Sequence, residues 1–226
     1  MPKLYAIFSL GTRRESPLLS PRLFIPLPLC VMFQKKGGLM TILCLGDSLT
    51  FGYGVPREDT WCAVAARLCG HEFQNLGVNS ATSGEMWEQE LAPSADALLV
   101  MGGLNDLFMG MAPSVPLSHI LAICESARRA GLRPVVGIPM QISPDVDEAW
   151  CDGPVDVDWV RAAYAELAEA LVQACAEHGI ESIDFRPLVG PAELSFDGIH
   201  LNRRGHRRMA EAVAEFWKSV SQVRQI

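Results

Sequence analysis

At 226 residues, with 49% of them apolar and 20% charged, the chain is long enough for one well-packed α/β domain and too short for two of ordinary size. Its formal charge of −7 is unevenly spread: residues 1–39 carry six of the 19 basic and one of the 26 acidic side chains, which leaves 13 against 25, a net of −12, from Met40 onward. A surface that acidic repels phosphate backbones and anionic headgroups, which argues against nucleic acid and membrane surfaces as partners.

Residues 1–39 hold five prolines and no sustained period of 3.6 or 2.0. The apolar run 23–33 is too short to span a bilayer and is broken by Pro26 and Pro28, so no stable membrane insertion is expected. Lys35 and Lys36 stand where a signal peptide needs small cleavage-site residues. A cytoplasmic location is therefore expected, with secretion as the alternative. Lys35-Lys36-Gly37-Gly38 can be encoded by AAG-AAA-GGA-GGN, which contains a bacterial ribosome-binding sequence, and Met40 follows closely. The expectation is that translation starts at Met40, that 1–39 is a poorly ordered, non-catalytic leader, and that one domain occupies 40–226. The seven cysteines are odd in number and form no C-x-x-C pair. Buried free thiols in a reducing compartment fit them best, and no Cys/His cluster has the spacing of a metal site.

From Met40 short apolar runs alternate with helical segments. An apolar run at 41–45 ends in Gly-Asp-Ser, and a helix is expected over about 58–69. A weak strand follows at 73–76 and a strong one at Ala97–Met101 that ends in Gly-Gly. A helix over 117–130 stops at Gly131, a strand occupies 134–138, and a long helix, Val157–His178, is closed by Gly179. A fifth strand at 180–185 and a helix at 204–220 complete the chain. Strands apolar throughout and separated by helices indicate a parallel sheet covered on both faces. With right-handed crossovers this becomes an α/β fold: a three-layer α/β/α sandwich, flavodoxin-like, on a five-stranded parallel sheet. In such a sheet ligands bind beyond the carboxyl ends of the strands, where Asp47 and Ser48, Asn79 and Ser80, Asn105 and Asp106, and Asp197 and His200 all fall.

A serine hydroxyl becomes a useful nucleophile when a base takes its proton and a third group orients that base. Asp197-Gly198-Ile199-His200 supplies both partners: the spacing lets Asp197 accept the Nδ1 proton of His200 and leaves Nε2 for Ser48. An Asp-x-x-His alone is also an ordinary surface loop, and Gly-Asp-Ser between strand and helix is also an N-cap or an anion-holding loop. Three blocks considered together narrow the choice. Leu45-Gly46-Asp47-Ser48-Leu49-Thr50, Gly102-Gly103-Leu104-Asn105-Asp106 and Asp197-Gly198-Ile199-His200-Leu201-Asn202 resemble signature blocks of the SGNH/GDSL hydrolases, in the family's order. The resemblance extends across 41–215. It implies that Ser48 is the nucleophile, that Asp197 and His200 complete a triad, and that Asn105 donates to an oxyanion through its amide, with the Ser48 N–H as a second donor. No metal or organic cofactor is implied.

One block departs from the family's pattern. In Asn75-Leu76-Gly77-Val78-Asn79-Ser80-Ala81-Thr82-Ser83, Ser80 stands where the family has a glycine whose N–H points into the oxyanion hole. The N–H survives such a change, but a left-handed backbone at Ser80 would be strained. Ser80 is retained as the third donor; losing one donor typically costs ~10²–10³ in turnover.

Other residues have plainer readings. Asp47 and Asp106 are loop-shaping acceptors, while His71, His119, His178 and His206 are solvated surface histidines. Glu85, Glu88 and Glu90 form an exposed helix face. Phe108 and Met109, with Met111, wall an acyl pocket or pack in the core. The 140–156 connection, with Trp150 and Cys151, is the expected substrate-gating loop. The function expected is hydrolysis of small-molecule acyl esters, with lysophospholipids and thioesters in range. The same triad also fits a carbohydrate O-deacetylase. A non-catalytic module holding phosphate in the first loop leaves Asp197 and His200 unexplained, and an inactive hydrolase is suggested only by Ser80.

Overall fold

A computed structural model describes residues 38–91, 94–146 and 156–223. Residues 1–37 of the expected leader lie outside the described residues, as do 147–155 with Trp150 and Cys151. Five strands, β1 (Thr41–Gly46), β2 (Glu72–Gly77), β3 (Ala97–Met101), β4 (Arg133–Ile138) and β5 (Glu181–Asp184), pair in parallel in the order β2-β1-β3-β4-β5. The helices are α1 (Ser48–Phe51), α2 (Trp61–Cys69), α3 (Ser83–Trp87), α4 (Leu104–Phe108), α5 (Ser114–Arg129), α6 (Val157–His178) and α7 (Arg203–Val223).

Successive strand residues point to opposite faces, and in β1, β3 and β4 both faces are buried. Leu43 and Leu45 of β1, Leu98 and Val100 of β3, and Val136 and Ile138 of β4 enter one core with α3, α4, α5 and α6. Ile42, Cys44, Leu99, Met101 and Val135 enter a second core with Leu49, α2 and α7. The result is the three-layer sandwich expected from the continuous apolar runs. Truncating one of the fully buried leucines, such as Leu98, costs about 2–5 kcal/mol through lost burial and the cavity left behind. The chain leaves β1 toward β2 on one side and returns to β3 on the other. That reversal opens a crevice at the carboxyl end of β1.

Element ends differ from expectation for local reasons. α2 starts at Trp61 because Arg57–Asp59 forms its own 3₁₀ turn, and the Thr60 hydroxyl caps α2 by accepting from Ala63 N at 3.4 Å. β5 is shorter because Ile180 N still donates to Cys175 O (2.8 Å), closing α6 behind Gly179. α1, α3 and α4 span only four or five residues each. Glu85, Glu88 and Glu90 are exposed, but α3 ends at Trp87, so only Glu85 belongs to it. Glu85 instead completes a capping box, accepting from Thr82 N at 2.8 Å. Cys44, Cys62, Cys124 and Cys175 are buried free thiols and Cys69 is half-buried. No helix among the described residues is long and apolar enough to cross a membrane.

Candidate functional site

β1 ends at Gly46, in register with Gly77 at the end of β2. The first turn of α1 sits directly on this pair: a Cβ at Gly77 would lie 2.2 Å from Phe51 N. No side chain fits there without moving α1. Asp47 caps α1, with Oδ1 accepting from Leu49 N at 2.9 Å. The far end is held by Asn75 Nδ2 donating to Thr50 O (2.7 Å) and Trp61 Nε1 donating to Leu49 O (3.1 Å). A helix of one turn is unstable alone; these bonds fix Ser48 in place. Asp47 is buried, and burial, together with the nearby Asp106 charge, pushes its carboxyl up to about 7.

The Asp197–His200 loop approaches from the other end of the chain. Ser195 N donates to His200 O (2.7 Å) and Gly198 N to Ser195 O (3.0 Å), while Ser143 N donates to Gly198 O (2.7 Å), tying the turn to the segment after β4. Gly198 takes φ +71° with Ser143 and Val146 packed against it, a place for glycine alone. Asp197 Oδ1 accepts from Ile199 N and His200 N, both at 2.9 Å, and Oδ2 accepts from His200 Nδ1 at 2.8 Å. Burial drives this carboxyl up, but the two backbone N–H groups and the His200 ring outweigh burial and hold it below the usual carboxylate range. An ionised Asp197 fixes the proton on Nδ1, so Nε2 accepts from Ser48 Oγ–H, 2.9 Å away. The ring of Tyr53 lies against His200, centroids 4.5 Å apart and tilted by 41°.

Ser48, Tyr53, Ser80, Asn105, Phe108 and His200 line one cleft of about 220 Å³. Asn105 Nδ2 donates to Ala81 O (2.9 Å), which fixes the amide and leaves its second N–H for a ligand. Ser80 has φ 62°, the one described non-glycine residue in the left-handed region. It keeps the backbone form a glycine would adopt. Among the described residues, neither Ser48 N nor Ser80 N donates to a protein acceptor. Phe108 lines the cleft, whereas Met109 is 61% exposed on the surface beyond it. Trp150 lies outside the described residues. Chemically, the cleft offers a hydroxyl aligned with a base, an oriented base, and N–H donors beside them.

Residues 44–208 match the GDSL-like Lipase/Acylhydrolase family. The chain belongs to that family. It is 26% identical to an arylesterase of Vibrio mimicus, over 77% of this chain and 86% of the arylesterase. It is 25% identical to the esterase TesA of Pseudomonas aeruginosa, over 81% of this chain and 90% of TesA. Among solved structures, a carbohydrate acetylesterase from Sinorhizobium meliloti shares the fold, with a TM-score of 0.67 at 17% identity over 80% of this chain and 99% of that one. This GDSL hydrolase is thus a carboxylic-ester hydrolase acting on small-molecule esters.

Three of its side chains sit in contacts that their sequence positions do not announce. Tyr53, in Phe51-Gly52-Tyr53-Gly54, packs on His200. His119 is not a solvated histidine: it is half-buried, its Nδ1 lies 2.8 Å from Ser83 Oγ, and its ring stacks on Trp87. His206 is fully buried, with Nδ1 accepting from Trp61 N at 3.3 Å, and burial lowers it to about 4. His71 is half-buried beside Met40 N, and His178 is exposed. Asp47 and Asp106 are loop-shaping acceptors, as expected.

Proposed function

We propose that the enzyme is a serine esterase that hydrolyses short acyl esters through an acyl-enzyme on Ser48. The observation that carries this reading is the Ser48 Oγ–His200 Nε2–Asp197 chain, 2.9 Å and 2.8 Å, joining groups 152 residues apart. Ser48 Oγ attacks the ester carbonyl as His200 Nε2 takes its proton, and Asp197 stabilises the imidazolium. The oxyanion accepts from Ser48 N, Ser80 N and the free N–H of Asn105. His200 then gives its proton to the departing alkoxide, which leaves as the alcohol. Water attacks the acyl carbonyl, His200 takes that water's proton, and Ser48 Oγ leaves carrying it, releasing the acid.

The cleft supports the short-chain part of the reading. Its volume of about 220 Å³ falls below the ~300–1,000 Å³ of pockets for drug-sized ligands, and Leu104 and Phe108 give it apolar walls. The same small acyl side favours a second reading, a carbohydrate O-deacetylase, in line with the acetylesterase that shares the fold. Hydrolysis of p-nitrophenyl esters from acetate to decanoate, by wild type and Ser48→Ala, tests the first. Turnover should peak at acetate to butyrate and vanish in the variant. A peak at decanoate, or activity surviving in Ser48→Ala, overturns it. Faster release of acetate from an acetylated sugar than from p-nitrophenyl acetate selects the second.

A further inference from the structure

Behind the cleft lies a second row of hydrogen-bonded side chains that this scheme leaves unused. Ser83 opens α3, Asp106 lies in α4 and His119 in α5. Ser83 Oγ is 2.5 Å from Asp106 Oδ1 and 2.8 Å from His119 Nδ1, and Ser83 N donates to Asp106 Oδ2 at 2.9 Å. Ser83 is 0% and Asp106 1% exposed, so no substrate reaches this serine and it is not a second nucleophile.

Proton accounting fixes the direction of the row. Ser83 Oγ–H donates to Asp106 Oδ1, and a hydroxyl has only one proton to give. Ser83 Oγ must then accept at its other side, which places a proton on His119 Nδ1. Trp87, stacked on the imidazole at 5.7 Å and 18°, holds the ring in that orientation.

The row ends at the oxyanion donors. Asp106 adjoins Asn105, and Asn105 Nδ2 donates to Ala81 O at 2.9 Å. Three bonds therefore join the 80–83 loop to the first turn of α4: Asn105 to Ala81, and Ser83 N and Oγ to Asp106. These segments carry two of the three proposed donors, Ser80 N and the Asn105 amide. Their spacing is set by the clamp, and His119 completes the clamp from a third element.

We infer that His119 is a positioning residue, which acts through Ser83 and Asp106 to hold Ser80 N and Asn105 at oxyanion-binding distance. The inference rests on the proposed serine-esterase reading. A loosened donor pair weakens binding of the transition state but not of the ground state, so the effect falls on kcat and leaves KM in place.

The test compares His119→Phe, which keeps a ring on Trp87 but loses the donor, with His119→Asn, whose amide nitrogen reaches the place of Nδ1. With p-nitrophenyl acetate, His119→Phe should lose about tenfold or more in kcat with KM within about twofold, short of the ~10²–10³ for deleting a donor outright. Affinity for a trifluoromethyl ketone, which forms an oxyanion on Ser48, should fall in parallel. His119→Asn should recover most of both. Should His119→Phe fail to fold, His119→Gln, whose amide reaches the place of Nε2 instead, takes its part. Wild-type kcat in the variant lacking the donor, or equal impairment of that variant and His119→Asn, overturns the inference. Activity that depends on Ser48 but ignores His119 defeats the clamp alone, whereas activity indifferent to Ser48→Ala defeats the esterase reading beneath it.

Discussion

Replacing Ser80 by glycine should make the enzyme more stable without slowing it. Ser80 sits at φ 62°, where the Cβ of an L-residue crowds the backbone at a cost of about 1–2 kcal/mol. Its hydroxyl makes no hydrogen bond among the described residues, so glycine forfeits no hydrogen bond. Glycine does loosen the unfolded chain, which offsets about 0.4–1 kcal/mol. The net gain is about 0–1.6 kcal/mol, centred on about 0.8, which is equivalent to roughly 2–3 °C in Tm for a domain of this size. The backbone N–H is unchanged, so kcat on p-nitrophenyl acetate should stay within about threefold. Thermal melts of wild type, Ser80→Gly, Ser80→Ala and Ser80→Val provide the assay. Alanine keeps the strain and should match wild type, and β-branched valine should melt lowest. A lower Tm for Ser80→Gly, or an equal rise for glycine and alanine, would mean that backbone strain at Ser80 is not the operating term.

Three further substitutions probe the same site. Asp47 has its carboxyl raised from 3.8 to about 7, so the folded state holds that proton more tightly than the unfolded chain; the stabilisation is complete below about pH 4 and is lost as pH rises through 7. Asp47→Asn keeps an acceptor for Leu49 N, and urea titrations should show it gaining on wild type from pH 4 to 8, by at most about 4 kcal/mol; a pH-independent difference rules this out. Asp197→Asn should fold and lose about 10⁴-fold in kcat, because the amide no longer enforces the Nδ1–H tautomer of His200. Gly77→Ala sets a methyl 2.2 Å from Phe51 N and should cost about 1–3 kcal/mol, with activity falling further than stability as α1 and Ser48 are displaced.

The centre of the sheet is legible in the sequence because β1, β3 and β4 are buried on both faces: Ile42, Leu43, Cys44 and Leu45 leave no polar position to blur the run, whereas the edge strand β2 is only half-buried and reads weakly. Asp197 and His200 are legible because both lie on one short loop. Helices α1, α3 and α4 are not, since four or five residues are too few to display a period, and they are held by distant groups such as Asn75 and Trp61. His119 and His206 read as surface residues because their partners, Ser83 and Trp61, lie 36 and 145 positions away. Ser80 is ambiguous for a different reason: the sequence shows which residue replaces the family glycine, but only the backbone angle shows that the left-handed conformation is kept.

The serine mechanism is tested most directly by reacting the full-length enzyme with a fluorophosphonate and locating the adduct by peptide mass spectrometry, while p-nitrophenyl acetate turnover is followed in parallel. One adduct on the peptide containing Ser48, with activity lost in proportion and no labelling of Ser48→Ala, is the expected outcome. Labelling elsewhere, or full activity in protein modified at Ser48, would rule out Ser48 as the nucleophile.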